Sequence, residues 1–231
     1  MNKDLHKIFW LFGPIAIFLI PYISRIITDK AYTFMYMESG WVEISTVIFL
    51  VSTVIISILF IKEHNFLDHN WLKIWFILLI FGSIYFAGEE ASWGQHFFGW
   101  STPDTWKAIN NQQETNLHNT SAIFDQIPRT LLSVAAVIGG VLVPLIQKIS
   151  NKYPAPTNTQ YWFWPTYVCM PVAILSLIVS WHEKAYELFG SEVPRILDIR
   201  SGEVKESLLA LFMMIYALSV WYRNKNYIKN N

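Results

Sequence analysis

The stretch WVEISTVIFLVSTVIISILFI, residues 41–61, decides the class of fold. Its residues are almost all apolar, and Glu43 is its only charged side chain. A helix of about 20 mostly apolar residues is long enough to cross the roughly 30 Å hydrocarbon core of a bilayer. The stretch therefore predicts a transmembrane helix and, with it, an integral membrane protein.

Five further segments approach the same length and character. The chain thus predicts an all-α, polytopic membrane helix bundle with about six transmembrane helices, forming a single domain over residues 1–231. The predicted spans are 8–27, 41–61, 71–91, 130–147, 161–181 and 206–222. Lys3 and Lys7 precede the first span as in a signal peptide, but this span continues past Pro21 without a cleavage-site pattern. We therefore interpret it as a retained helix.

The composition agrees with a membrane protein. Hydrophobic residues make up 53% of the chain and charged residues only 15%, against about a quarter charged in a typical soluble domain. The formal net charge is +0, so nothing indicates the basic surface that nucleic-acid binding requires. The single cysteine, Cys169, lies in an apolar run, which excludes an intrachain disulfide. The lipid bilayer is the partner that the composition predicts.

Charged residues divide unevenly between the two sides of the predicted bundle. With six spans, both termini lie on the same side as the short connectors near 62–70 and 148–160, and nine of the 17 Lys and Arg residues fall there. This density predicts cytoplasmic N- and C-termini in a cell membrane. Of the 17 Asp and Glu residues, only Asp4, Glu63 and Asp68 fall on this side, and the others fall on the opposite side.

A long connector between the third and fourth spans carries most of the polar motifs on the acidic side. Its first part, GEEASWGQ at 88–95, predicts an extension of the third helix, with Glu89, Trp93 and His96 on one face. Thr102 followed by Pro103 predicts a short interfacial helix over 103–110.

Further along this connector, the motif ETNLHN occupies residues 114–119. Glu114 and His118 are four residues apart, and on a helix this spacing lets a carboxylate and an imidazole converge on one partner.

Together with ESGWVE at 38–43, these two motifs resemble a family of uncharacterised bacterial polytopic membrane proteins. Members typically read G-E-E-x-S-W-G-Q followed by E-x-N-L-H-N. The resemblance covers the second span through the long connector. It implies a multi-pass architecture in a bacterial inner membrane and the boundaries of the motifs, but no particular reaction.

Carboxylates at the helix ends of the acidic side form the candidate functional site. A charged carboxylate at the bilayer centre costs about 2.5 to 3.5 kcal/mol, so its usual place is a helix end or the interior of the bundle. The predicted catalytic residues are Glu43, Glu89, Glu90, Glu114 and His118. Carboxylate and imidazole without thiolate suit zinc, manganese or iron. The predicted metal ligands are Glu89, Glu114, His118 and His182.

Structural explanations for the same residues stay open at this point. Glu43 would also be explained by an ion pair, with Arg25, Arg195 or Arg200 as the partner. The connector motif would also be explained by hydrogen bonds within the connector itself. His182 would also be explained as an ordinary interfacial histidine.

Three functions fit this pattern. The first is metal-assisted hydrolysis of a lipid or lipid-linked substrate, in which a divalent metal such as zinc activates water. The second is a proton-coupled transporter that uses Glu43, Glu89 or Glu90. The third is a non-catalytic component of a cell-envelope complex that docks through its acidic face. No diagnostic ligand spacing selects one of them.

Overall fold

The computed structural model describes residues 4–36, 40–64, 70–110 and 113–230, and within these ranges the chain is helical without a β-strand. Six helical segments are long and apolar enough to cross a membrane, so the prediction of an all-α polytopic bundle is confirmed. In chain order they are α1 (Ile8–Ile27), α2 (Trp41–Glu63), α3 (Asn70–Glu90), α4 (Gln126–Ser150), α5 (Thr159–Leu188) and α6 (Ser201–Asn230).

Several of these segments are not regular α-helices. The first turns of α1 are π-helical over Ile8–Phe12. The helix that becomes α4 begins at Ala122 and contains a π-helical stretch over Ala136–Leu142. α5 consists of shorter pieces, Thr159–Phe163, Tyr167–Cys169, Met170–Ile178 and Trp181–Leu188. The short helices outside the spans are Asp29–Tyr36, Ser92–Gly94, Gln95–Phe98 and Asp104–Lys107.

Helix α6 is the central and most buried of the six spans. Helix α2 packs along it, and the hydroxyls of Ser45 and Ser207 meet at 2.8 Å across the contact. Ser45 and Thr46 on α2 also donate to the carbonyl oxygen of Val42 in their own helix. Polar side chains can therefore be buried at this contact, because their donors are satisfied locally.

Glycine permits a close contact between helices of the bundle. A Cβ atom on Gly140 of α4 would lie 2.7 Å from the Cβ of Ala173 and 2.7 Å from Cε2 of Phe212. These two residues belong to α5 and α6, so Gly140 lets three helices meet at one point. Cys169, also on α5, is buried and free, in agreement with the absence of an intrachain disulfide.

Polar contacts fix the end of the bundle that carries the two termini. Arg223 on α6 is buried and donates to the carbonyl oxygens of Tyr161 and Trp164 on α5. The carboxylate of Asp4 accepts hydrogen bonds from Thr166 and Ser219. The charged groups of Arg223 and Asp4 therefore have hydrogen-bond partners within the bundle.

Candidate functional site

Helix α3 ends at Glu90, so the prediction that it extends through His96 was wrong. Ser92 and Trp93 have φ values of 43° and 55°, in the left-handed region, which breaks the helix. The Trp93 ring folds back over α3, where a Cβ on Gly88 would lie 2.9 Å from ring atoms. Trp93 still contacts Glu89, because its Nε1 donates to Glu89 Oε1 at 2.8 Å. The side chain of His96 lies outside the described residues.

Glu89 joins the two connector motifs. Its side chain is buried, with 2% of the residue exposed. Oε2 accepts from the backbone N–H of Leu117 at 2.6 Å and from that of His118 at 2.8 Å. Nδ1 of His118 lies 3.6 Å from the same oxygen. Glu89 therefore anchors ETNLHN to the end of α3, which is a structural role.

Glu114 is held in a similar way but in another direction. Its Oε2 accepts from Ser92 Oγ at 2.9 Å, from Asn116 Nδ2 at 2.7 Å and from Asn119 Nδ2 at 3.2 Å. Residues 113–120 are not helical. The expectation that Glu114 and His118 converge from one helix was therefore wrong, since Glu114 is directed toward Ser92 and His118 toward Glu89.

A further polar residue closes the connector. Gln95 Oε1 accepts from the backbone N–H and the hydroxyl of Thr115, and Gln95 Nε2 donates to Thr102. The predicted interfacial helix is present but shorter than expected, over Asp104–Lys107, and Pro103 precedes its first turn. These contacts make the start and the end of the connector a single folded unit.

The four predicted metal ligands do not form one group. His182 on α5 has Nε2 2.7 Å from the carbonyl oxygen of Leu197 and Nδ1 3.5 Å from the hydroxyl of Tyr22. Within the described ranges, no three His, Cys, Asp or Glu side chains are grouped as metal ligands would be. Glu89 and Glu114 already accept N–H and O–H donors. The structure therefore does not support the metal site predicted from sequence.

A groove of about 400 Å³ lies beside the connector, between α3 and α4 and against α6. Its walls are mainly apolar and include Phe86 of α3, Leu131 and Leu132 of α4, and Leu209 and Met213 of α6. Polar groups lie at the connector end: Glu89, Glu90, His118, Arg129 and Glu206. The groove is therefore amphipathic, with an apolar body and a charged end.

Two kinds of carboxylate line the charged end. Glu206 forms an ion pair with the guanidinium of Arg129. Glu90 is partly buried, and no hydrogen bond or ion pair to its side chain is found among the described residues. Burial and the carboxylates of Glu206 and Glu43 disfavour a negative charge on Glu90, and the guanidinium of Arg129 favours it. Glu90 is therefore the predicted site residue whose carboxylate lines the groove without being used in a structural contact.

The structure brings Glu43, in the first turn of α2, into the electrostatic environment of Glu90. The arginines considered as its partners have contacts elsewhere: Arg25 pairs with Asp198, Arg195 with Asp29, and Arg200 with Glu203.

Arg129 lies at the charged end of the groove, but the sequence pattern did not identify it as a candidate site residue. The available signal was a basic residue on the acid-rich side, immediately before the predicted fourth span.

These features describe a multi-pass membrane protein with an amphipathic groove whose charged end lies beside the connector. Comparison of the chain with protein-family models, with curated proteins and with solved structures finds no match.

Proposed function

We propose that the protein binds a lipid or lipid-linked substrate in the groove and hydrolyses it at the charged end. The observation that carries this proposal is the combination of apolar walls and ionisable groups in one cavity between membrane-spanning helices. A volume of about 400 Å³ lies in the range of about 300 to 1,000 Å³ that is usual for small-molecule pockets.

The position of the groove favours an amphiphile as the substrate. The wall residues on α3 and α4 belong to helices that a bilayer would surround. A hydrocarbon chain could therefore pass from the bilayer into the groove without being exposed to water. The charged end coincides with the C-terminal end of α3 and the first turns of α6. A polar head group would therefore lie near the interface while its chain stays among apolar side chains.

Glu90 is the residue that we propose as the general base. A carboxylate that no neighbour occupies can accept a proton from water as the water oxygen attacks the acyl carbon of the substrate. The proton then passes to the leaving oxygen or nitrogen. The guanidinium of Arg129 lines the same end and would stabilise the negative charge that develops on the substrate oxygen.

Hydrolysis in this form does not depend on a metal. Glu89 and Glu114 accept hydrogen bonds that hold the connector, so we assign them to positioning. We also propose, from the motif resemblance, that this is a bacterial inner-membrane protein, and from the charge distribution that both termini are cytoplasmic.

Lipid turnover in nanodiscs tests the proposal. The purified protein is incorporated with a total lipid extract, and lipids are followed over time by mass spectrometry. We expect a product that appears with the wild type, is lost in Glu90→Gln and is retained in Glu187→Gln, a matched change at an exposed carboxylate of α5. The absence of any time-dependent product with the folded wild-type protein would overturn the hydrolase proposal.

A proton-coupled transporter is the second candidate. It is favoured by the electrostatic interaction of Glu90 with Glu43, Glu203 and Glu206, because proton carriers gather ionisable groups at the ends or interior of membrane helices. Proteoliposomes with a pH-sensitive dye would show solute-dependent proton uptake that is lost in Glu43→Gln. Turnover without such flux would count against this candidate.

A further inference from the structure

The charged end of the groove has an excess of carboxylates. Among the described residues, the acidic and basic side chains that line it are Glu89, Glu90 and Glu206 against the guanidinium of Arg129 and the imidazole of His118. The guanidinium is already engaged by Glu206. A ligand that enters this end therefore meets more negative than positive charge.

The surroundings of Glu90 strengthen the imbalance. Besides Glu206, its charge interacts with those of Glu43 and Glu203, and Arg129 is the cation that offsets them. Glu203 has its own partner, since Arg200 Nη1 lies 3.3 Å from its carboxylate. Glu90 is thus the lining carboxylate to which no described residue supplies a direct ion pair or an N–H donor.

This charge pattern discriminates between head groups. Sites for phosphate use arginine or lysine clusters and helix N-termini, and a phosphate beside Glu90 would meet like charge. An ammonium group would instead donate to a carboxylate to which the described residues offer no other donor. Tyr85, Phe86 and Phe124 line the same groove, and the faces of aromatic rings attract ammonium groups.

We infer that the natural occupant of the groove is an amphiphile with a hydrocarbon chain and a cationic, amine-bearing head group. Its ammonium pairs with one oxygen of the Glu90 carboxylate, and the other oxygen accepts the proton of the attacking water. This inference rests on the proposed function, because it names the substrate class for the same site. Charge complementarity with Glu90 would select the head group, and the apolar walls would bind the hydrocarbon chain.

Binding of three ligands with the same chain length tests the inference. The protein in a neutral maltoside detergent is titrated with dodecylamine, dodecyl phosphate and dodecanol, and dissociation constants are measured by native mass spectrometry. We expect dodecylamine to bind about tenfold more tightly than the other two, as one charge-assisted hydrogen bond implies. Glu90→Gln should remove most of this preference.

Two variants locate the effect. Glu187→Gln removes an exposed carboxylate away from the groove and should leave the preference unchanged. Leu131→Trp adds bulk to a wall residue that is 65% exposed. It should weaken the binding of all three ligands to a similar extent. Leu131→Trp also keeps the site testable if Glu90→Gln does not fold.

The outcomes separate this inference from the proposed hydrolysis. Equal affinity for the three ligands, or a loss of preference in Glu187→Gln as large as in Glu90→Gln, would overturn the inference while lipid turnover in nanodiscs still supported the enzyme. Amine-selective binding that depends on Glu90 without any turnover would support the inference and count against the enzyme.

Discussion

At the scale of single residues, the adjacent carboxylates Glu89 and Glu90 have opposite roles. Glu89 accepts three hydrogen bonds, two of which join it to the ETNLHN motif, whereas no hydrogen bond to the side chain of Glu90 is found in the described part of the chain. Neighbouring residues on a helix point about 100° apart. One of the two side chains therefore faces the connector and the other reaches the charge cluster at the end of the groove.

The first prediction contrasts these two positions. We expect Glu89→Gln to destabilise the protein by about 1 to 3 kcal/mol, because an amide nitrogen replaces one acceptor oxygen of a buried group. Glu90→Gln should change stability by less than about 0.5 kcal/mol or increase it, since it removes repulsion from nearby carboxylates. Thermal unfolding in detergent measures both. Equal destabilisation would show that Glu90 also has a structural role.

A second residue-scale prediction concerns the ion pair between Arg129 and Glu206, whose side chains are 31% and 13% exposed. We expect the destabilisations of Arg129→Gln and Glu206→Gln to sum to more than that of the double variant, because either single change already breaks the pair. The coupling energy should be about 0.5 to 3 kcal/mol. A double-mutant cycle in unfolding experiments measures it, and additivity of the two changes would mean that the pair contributes nothing to stability.

Metal content is the third residue-scale prediction. Glu89 and Glu114 direct their carboxylates toward neutral donors, so we expect no stoichiometric transition metal in the purified protein. Elemental analysis tests this directly. A chelator should leave the thermal midpoint and lipid turnover unchanged, and a loss of either that zinc restores would reinstate the metal-assisted form of hydrolysis.

At the scale of elements, close helix packing on one side of the bundle contrasts with the open groove on another. Gly140 brings α4 against α5 and α6, whereas at the connector end α3 and α4 line opposite walls of the groove. The end of helix α3 at Glu90 also shapes the groove, because the left-handed residues Ser92 and Trp93 turn the chain back toward α3. A continuous helix would have carried the connector away from the groove.

Gly140→Ala provides the element-scale prediction. The new Cβ would lie 2.7 Å from Ala173 and from Phe212, so we expect a loss of about 1 to 3 kcal/mol from overpacking. Gly202→Ala is the control, because a Cβ atom there would meet nothing within 4 Å among the described residues beyond its own helix, and alanine favours helix. Thermal unfolding that ranks the two variants in the opposite order would contradict this packing.

At the scale of the whole molecule, six helical segments are long and apolar enough to cross a membrane. If each of them crosses it once, both termini lie on one side and the long connector on the other. The groove opens beside that connector, on the acid-rich side. Which side faces the cytoplasm follows from the density of Lys and Arg and stays a prediction.

Cysteine labelling tests this orientation. Cys169 is fully buried and should not react with a membrane-impermeant maleimide. In intact bacterial cells or spheroplasts, Thr105→Cys in the connector should be labelled from outside, whereas Lys229→Cys near the C-terminus should be labelled only after lysis. The reverse pattern would invert the orientation and place the groove on the cytoplasmic side.

The sequence by itself determined the membrane class, the approximate spans and the acidic side, because hydropathy and charge are properties of contiguous residues. It also identified Glu89, Glu90, Glu114 and His118 as members of one region. Only the tertiary structure decided their roles, since these depend on contacts between residues far apart in the chain. Arg129 and Glu206 lie 77 residues apart, and neither the groove that they line nor the different use of Glu89 and Glu90 follows from local pattern.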